Sequence, residues 1–277
     1  MKTNIFHLQI IPVKNVLPHE VYDQSRAKPL VARLKKDGYL GNPIIVASLD
    51  NGKYLQLDGM NRFSAFRMMK IPTILAQIID YNDQDIVELS SWAHLFQSGK
   101  DAFFNYLSGI NGISVKRGNM ENVGHRYIRE EGMARLCTIT HKDKSVYLIV
   151  GNDELSGKIR KLNKIVSFYK NHIIRDVLYP RTSALEVELL FKEHEPTNWM
   201  IVFPTFTRHQ IVDVVKRGGL FPTGVTRHII KRRCLNVKIP VAFFSKGKSL
   251  KEQNAELEKI LMNQTFRLYE EPTIYFE

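Results

Sequence analysis

Residues 55–67 read LQLDGMNRFSAFR, and this stretch predicts a strand, a tight turn and a helix. Two leucines alternate with polar residues before the turn, as in a strand with one buried face. The Asp58-Gly59 pair marks the turn, because glycine adopts backbone angles that other residues avoid. Phe63 and Phe66 then recur at helical spacing, which predicts a helix directly after the turn.

This turn has the features of an anion-binding site. A helix that begins after Gly59 directs its unpaired N–H groups, and the positive end of its dipole, into the turn. Such a helix start favours phosphate, and Arg62 adds a planar cationic fork. Asp58 is placed to hold a magnesium ion. On the local pattern alone, the ordinary role of Asp58 as a helix cap is the simpler interpretation, because Asp-Gly turns are common.

Composition indicates a globular protein of one large or two modest domains. The chain has 277 residues, of which 44% are hydrophobic and 25% charged. Its apolar runs are too short to span a bilayer, and its first residues lack the apolar core of a signal peptide. Cys137 and Cys234 lie far apart, which argues against a disulfide framework. We therefore expect a cytoplasmic protein with no membrane partner. The sequence does not specify the oligomeric state.

The formal net charge of +12 is unevenly distributed. Residues 1–88 hold 11 Lys and Arg and 9 Asp and Glu, so most of the basic excess lies beyond them. This excess is compatible with nucleic-acid binding and equally with the attraction of small anions. The basic runs Lys158–Lys164 and Lys231–Arg233 are interpreted as solvated faces.

Strand, helix and turn signals alternate over residues 1–88 and predict a compact α/β unit. We expect a second domain over residues 89–277, packed against the first. The predictions beyond the first unit are a helix over 84–104, a loop over 111–122, an antiparallel pair over 134–141 and 145–151, and a strand over 237–244.

The first unit resembles the ParB/sulfiredoxin fold. This resemblance implies a mixed α/β (α+β) protein, with a ParB/sulfiredoxin-like N-terminal domain packed on a mixed C-terminal domain. The matching segments are Leu17-Pro18-His19-Glu20, Asp37-Gly38, Asn42-Pro43-Ile44-Ile45-Val46 and Leu57-Asp58-Gly59-Met60-Asn61-Arg62.

Three branches share this fold, and the turn separates them. Sulfiredoxins carry a catalytic cysteine in a Gly-Cys-His-Arg turn, but Met60 stands at that position here and supplies no thiolate. Chromosome-partition ParB proteins carry a Gly-Glu-Arg-Arg turn followed by a helix-turn-helix domain. The turn here is Gly-Met-Asn-Arg, and mixed strands and helices follow it, which weakens that branch.

The third branch is the free serine kinases, whose turn typically reads Asp-Gly-His-His-Arg. Asp58, Gly59 and Arg62 match this pattern, whereas Met60 and Asn61 depart from it. The resemblance covers most of the chain and is greatest to the serine kinases of staphyloferrin B-type siderophore clusters. Further matching segments are Glu20 after Leu-Pro-His, Ser91-Trp92, Val202-Phe203-Pro204 and Val225-Thr226-Arg227-His228.

The resemblance implies phosphoryl transfer from ATP or ADP, with Mg²⁺, to the hydroxyl group of L-serine. The product, O-phospho-L-serine, would serve diaminopropionate synthesis for a siderophore, or cysteine synthesis. The alternative is a ParB-like DNA-binding transcriptional regulator that binds DNA through the basic C-terminal part.

The resemblance also implies the roles of individual residues. Glu20 would be the catalytic base, for which the ordinary alternative is a surface carboxylate, and Asp58 would be catalytic and hold the metal. The C-terminal domain would complete the serine site. The nucleotide phosphates would be bound by Asp58, Gly59, Met60, Asn61 and Arg62, and serine by Trp92, Thr226, Arg227 and His228.

Overall fold

The computed structural model describes residues 6–22, 24–124, 135–151, 153–176, 183–244 and 247–268. The helices are α1 (Gln24–Asp37), α2 (Met60–Met68), α3 (Lys100–Ser108), α4 (Leu155–Ser167), α5 (Ala184–Glu193), α6 (Arg208–Lys216) and α7 (Leu250–Met262). The strands are β1 (Leu8–Pro12), β2 (Val16–Leu17), β3 (Tyr39–Leu40), β4 (Ile44–Ser48), β5 (Tyr54–Asp58), β6 (Thr73–Ile79), β7 (Val87–Ser91), β8 (Ala93–Phe96), β9 (Ser114–Gly118), β10 (Arg135–His141), β11 (Val146–Val150), β12 (Ile174–Asp176), β13 (Trp199–Val202), β14 (Thr226–Ile230) and β15 (Ile239–Pro240). The predicted mixed α/β class is confirmed.

The chain divides into two compact units, which we call unit 1 (residues 1–88 with 228–277) and unit 2 (residues 89–227). This division groups residues 228–277 with residues 1–88. Strands β7 and β14 form a two-stranded sheet. The boundary between Glu88 and Leu89 falls within β7, and the boundary between Arg227 and His228 falls within β14.

Unit 1 is built on a five-stranded sheet with the strand order β1-β6-β4-β5-β2. Strand β5 pairs antiparallel with β4 and parallel with β2, while β4 pairs parallel with β6. The central strands are buried on both faces, and Phe63 and Phe66 of α2 contribute to the same core. The strand, turn and helix predicted over residues 55–67 are therefore present.

The C-terminal segment joins unit 1 because it completes that core. Ile239 of β15 pairs with Leu40 of β3, and Phe244 packs edge-to-face on Phe66 with ring centroids 5.2 Å apart. The Asn254 side chain of α7 also accepts a hydrogen bond from the N–H of Ile10 and donates one to its carbonyl oxygen, at 2.9 and 3.0 Å. Long-range contacts of this kind leave no mark on local sequence pattern.

Unit 2 contains a six-stranded antiparallel sheet with the order β12-β8-β13-β10-β11-β9. The antiparallel pair predicted over residues 134–141 and 145–151 is confirmed as β10 and β11. The helix predicted over residues 84–104 is wrong for residues 87–91 and 93–96, which form β7 and β8, whereas residues 100–104 belong to α3. Residues 93–96 are all buried, and a strand buried on both faces lacks the alternation that identifies strands.

Two further local predictions differ from the structure. Residues 111–122 were expected to form a loop but contain β9, an edge strand that pairs with β11. The strand expected over residues 237–244 is limited to β15 and is followed by a 3₁₀ turn over Val241–Phe244. Among the helices of the described residues, none has the length and apolar character needed to cross a membrane.

A fully buried histidine, His94 of β8, connects three parts of unit 2. Its Nε2 lies 2.7 Å from the carbonyl oxygen of Gly224, and its Nδ1 lies 3.1 Å from the Tyr169 hydroxyl. A carbonyl oxygen only accepts, so Nε2 carries the proton and Nδ1 accepts from Tyr169. Burial lowers the pKa of His94 to about 3, against the opposing effect of the Gly224 hydrogen bond and with a contribution from the Arg175 charge.

We expect this histidine to make the stability of the protein depend on pH. The folded state keeps His94 neutral, whereas the unfolded chain takes up a proton below a pKa of 6.5. The free energy of unfolding therefore decreases as the pH falls below 6.5. Protonation of His94 in the unfolded chain accounts for a decrease of about 2 kcal/mol between pH 6.5 and 4.5. Urea unfolding of the wild type and of His94→Gln at both pH values measures the effect. The variant should show a smaller loss, whereas the exposed His209→Gln control should match the wild type. Equal losses in all three proteins would contradict the prediction.

Candidate active site

The turn after β5 has a backbone that only glycine accommodates easily. Gly59 has φ +86° and precedes the first residue of α2, and its carbonyl oxygen accepts a hydrogen bond of 3.0 Å from the N–H of Phe63. A Cβ atom at Gly59 would lie 2.8 Å from Nη2 of Arg62 and 3.0 Å from Cγ2 of Ile44. Glycine therefore lets the Arg62 guanidinium lie directly over the turn at the start of α2.

Asp58 lies at the end of β5 between two arginines. Its Oδ2 atom is 3.2 Å from Nη2 of Arg62 and also pairs with Nη2 of Arg233. The carboxylate is 37% exposed, so the group is accessible to solvent. Two guanidinium groups on one carboxylate leave a net charge of +1 beside the N-terminus of α2, which favours an anion.

The two residues that depart from the serine-kinase turn lie in different environments. Met60 is half-buried and packs against the hydrophobic core of unit 1. Its side chain is thus directed to packing, so any contribution of Met60 to anion binding would come from its backbone N–H. Asn61 is half-buried in the first turn of α2.

The parallel pairing of β2 with β5 brings Glu20 and Asp58 to the same edge of the sheet. Val16 of β2 is paired with Tyr54 of β5. Glu20 lies four residues after Val16, and Asp58 lies four residues after Tyr54. Parallel strands in register end at the same edge, because both rise by about 3.3 Å per residue. Glu20 and Asp58 therefore both follow the end of the paired segment formed by Val16–Leu17 and Tyr54–Leu55.

His19 connects Glu20 to β5. Nδ1 of His19 lies 2.6 Å from the carbonyl oxygen of Gln56, so this nitrogen carries a proton, and Nε2 lies 3.7 Å from Oε1 of Glu20. The His19 side chain is 5% exposed and the Glu20 side chain 14%. The ring of His228 packs edge-to-face on His19 at 5.0 Å, and its Nε2 lies 2.9 Å from the Tyr81 hydroxyl. Unit 1 thus brings Glu20 and His228, both predicted from the sequence, into one polar group.

The other predicted serine contacts belong to unit 2. The guanidinium carbon of Arg227 lies 4.5 Å from the ring centroid of Trp92, a cation–π geometry. Trp92 is half-buried between β7 and β8 rather than within a helix, and Thr226 is 6% exposed. Ser91, next to Trp92, donates a hydrogen bond of 2.9 Å to the carbonyl oxygen of Phe203.

Arg227 and His228 are consecutive residues of β14, so their side chains point to opposite faces of that strand. Arg227 stacks on Trp92, whereas His228 contacts Tyr81 and His19. The three residues Thr226, Arg227 and His228 therefore have different surroundings, although the resemblance implies that all three contact serine.

Sequence reasoning missed three residues of this site. Arg233 was assigned to a solvated basic face, but it is paired with Asp58, and Gln56 and Tyr81 were not singled out. Each acts through a contact between residues that are distant in sequence. A single sequence contains no periodicity or motif that reports such contacts.

We expect Gly59→Ala to weaken nucleotide binding at least tenfold, because the new methyl group would displace Arg62 and strain the turn. The matched control is Gly38→Ala. Gly38 also has a positive φ of +75°, but no described atom lies within 4 Å of the position of an added Cβ. The control should lose about 1 kcal/mol of stability and keep its affinity. Calorimetric titration with ATP and urea unfolding measure the two effects. Wild-type affinity in Gly59→Ala would contradict the assignment of the turn.

No model of a known protein family matches the chain. In sequence it is 23% identical to the ATP-dependent L-serine kinase SbnI of Staphylococcus aureus. The 250 aligned residues cover 89% of this chain and 87% of that relative. It is 24% identical to an ATP-dependent L-serine kinase of Staphylothermus marinus. The 228 aligned residues cover 80% of this chain and 84% of that relative.

Solved structures show the same fold. A C-terminally truncated SbnI from Staphylococcus aureus matches with a TM-score of 0.71 and 20% identity, over 93% of this chain and 96% of that chain. A free serine kinase in complex with AMP matches with a TM-score of 0.68 and 17% identity, over 91% of this chain and 98% of that chain. The resemblance inferred from the sequence is thereby confirmed: the chain has the fold of the free serine kinases and is similar over most of its length to proteins described as ATP-dependent L-serine kinases.

Proposed function

We propose that the protein is a nucleotide-dependent kinase of free L-serine that produces O-phospho-L-serine. The observation that carries the proposal is the common sheet edge, where the Asp58–Arg62 turn follows β5 and Glu20 follows the parallel strand β2. An anion-binding turn beside a half-buried carboxylate is the pairing that phosphoryl transfer to a hydroxyl group needs. The names of the relatives in Staphylococcus aureus and Staphylothermus marinus support ATP as the donor.

Glu20 is the proposed general base. The serine hydroxyl oxygen attacks the terminal phosphorus, the bond from phosphorus to the leaving nucleotide oxygen breaks, and the hydroxyl proton passes to the Glu20 carboxylate. The His19 ring, whose Nδ1–H donates to the Gln56 carbonyl oxygen, lies beside this carboxylate with Nε2 3.7 Å from Oε1 of Glu20. Arg62 and the first N–H groups of α2 would bind the transferred phosphate.

The donor set at the turn fits a magnesium ion that arrives with the nucleotide. In phosphate sites Mg²⁺ is usually held by one or two carboxylates together with substrate phosphates, and Asp58 is a half-exposed carboxylate at the turn. Both arginine contacts fall on Oδ2, so a metal would bind Oδ1 or replace a guanidinium. When bound, the ion would supply neutralisation of the charge on the transferred phosphoryl group.

Serine recognition is assigned to the remaining predicted residues. Arg227 would pair with the serine carboxylate, and its stacking on Trp92 limits the orientations of the guanidinium before substrate binds. Thr226 and His228 would donate or accept further hydrogen bonds. The use of the product in diaminopropionate or cysteine synthesis, and the cytoplasmic location, stay expectations from the sequence.

The direct test incubates the protein with L-serine, Mg²⁺ and either ATP or ADP, and detects phosphoserine by mass spectrometry. Formation of phosphoserine with one donor is expected. Absence of turnover with both donors, combined with salt-sensitive binding of duplex DNA, would favour the DNA-binding alternative instead.

Glu20→Gln should lower kcat at least about 100-fold, because the amide no longer accepts the hydroxyl proton. The KM for the nucleotide should stay close to the wild-type value, since a base contributes mainly in the transition state. The control is Glu258→Gln on the exposed side of α7, which removes the same charge from unit 1. Wild-type turnover in Glu20→Gln would remove this residue from the mechanism.

Arg227→Ala should raise the KM for serine by about 10- to 100-fold with a smaller effect on kcat, because it removes a charge-assisted contact made before the reaction. Arg217→Ala is the matched control, since that arginine is 68% exposed and pairs with Asp213 on its own helix. Steady-state kinetics with varied serine measure the difference. An unchanged KM for serine would exclude the carboxylate contact.

A further inference from the structure

The segment between β14 and β15 holds Arg233 in a defined position. The buried side chain of Gln77, 3% exposed on β6, donates a hydrogen bond to the carbonyl oxygen of Arg232 and accepts one from the N–H of Cys234, both at 2.8 Å. These are the backbone groups on either side of Arg233. The N–H of Lys231 also donates to the carbonyl oxygen of Ile86 at 3.0 Å. We call the two Gln77 contacts the Gln77 clamp.

The clamp directs a half-exposed arginine to the anion-binding turn. The Arg233 side chain is 40% exposed, and its Nη2 atom pairs with Oδ2 of Asp58, the same oxygen that Arg62 contacts. An exposed ion pair contributes little to stability, so the pairing of Arg233 with Asp58 is not explained by a gain in stability. A guanidinium has five N–H donors in a fixed fork, and a contact with one carboxylate oxygen leaves most of them available for other acceptors.

We propose that Arg233 is a phosphate-binding residue of the nucleotide site, presented by the Gln77 clamp and held by Asp58 until the nucleotide arrives. This inference rests on the proposed function, because it takes a nucleotide as the anion. When the β- and γ-phosphates of ATP bind at the turn, the guanidinium exchanges the Asp58 oxygen for phosphate oxygens. The same exchange would leave the Asp58 carboxylate able to hold a metal ion that accompanies the nucleotide.

A double-mutant cycle separates direct phosphate binding from simple neutralisation of Asp58. Calorimetry in EDTA gives the affinities of ATP and AMP for the wild type, Arg233→Gln, Asp58→Asn and the double variant. Arg233→Gln should weaken ATP binding at least tenfold and AMP binding less than threefold. It should weaken ATP binding by a similar factor in the Asp58→Asn background, where no carboxylate needs neutralising.

The control is Lys231→Gln, which removes one positive charge from the same segment and should bind ATP as the wild type does. Two results would overturn the proposal: unchanged ATP affinity in Arg233→Gln, or an effect that disappears in the Asp58→Asn background. An equal loss for ATP and AMP would also overturn it, because a contact to the terminal phosphates cannot affect AMP equally.

Gln77→Met tests the clamp as a positioning element. This change removes both hydrogen bonds at similar side-chain volume, and it should weaken ATP binding in the wild-type background but not in Arg233→Gln. Equal effects in both backgrounds would assign Gln77 a structural role only. Urea unfolding shows whether the variant is folded, and if it is not, the Arg233 cycle alone decides the proposal.

Failure of this inference is distinguishable from failure of the proposed function. Wild-type protein that binds ATP but forms no phosphoserine would refute the serine kinase assignment, while the double-mutant cycle would still decide the role of Arg233. Conversely, phosphoserine formation with unchanged ATP affinity in Arg233→Gln would refute only the phosphate contact.

Discussion

The parallel pairing of β2 with β5 is the contact on which the candidate site depends. Strand β2 has only two residues, yet its register with β5 sets where Glu20 lies relative to Asp58. The hydrogen bond between His19 and the Gln56 carbonyl extends this alignment beyond the last paired residue. A short edge strand thus leads to the proposed base, and the strand with which it pairs leads to the proposed phosphate site.

The charges at the turn support the proposed anion site more than they contribute to the stability of the fold. Asp58 is shared by Arg62, which is 23% exposed, and Arg233, which is 40% exposed. An ion pair as exposed as that of Arg233 contributes at most about 1 kcal/mol. The positive end of α2 adds to the two guanidinium charges, so the carboxylate compensates only part of the local positive potential. A bound phosphate would complete the compensation, and Asp58 holds the arginines in place before it arrives.

The parts of the fold that were predictable are those that local sequence encodes. The Asp58-Gly59 turn and the apolar spacing of α2 are local, so the strand–turn–helix segment could be read directly from the sequence. Strand β8 was missed because all four of its side chains are buried, which removes the alternation that separates a strand from a buried helix. The position of Arg233 depends on Gln77, whose partners Arg232 and Cys234 lie 155 and 157 residues away.

The departure of the turn from the typical serine-kinase pattern has a physical consequence. Where the resemblance implies two histidines, this chain has Met60, which packs into the core, and Asn61, which carries no charge. The imidazole groups expected at the turn are therefore absent from this segment, and the cationic side chains found there are the guanidiniums of Arg62 and Arg233. Guanidinium groups stay charged across the physiological pH range, whereas imidazoles lose their charge near neutrality. If the turn binds the nucleotide as proposed, this binding should depend less on pH between 6 and 8 than binding at a turn that relies on two histidines.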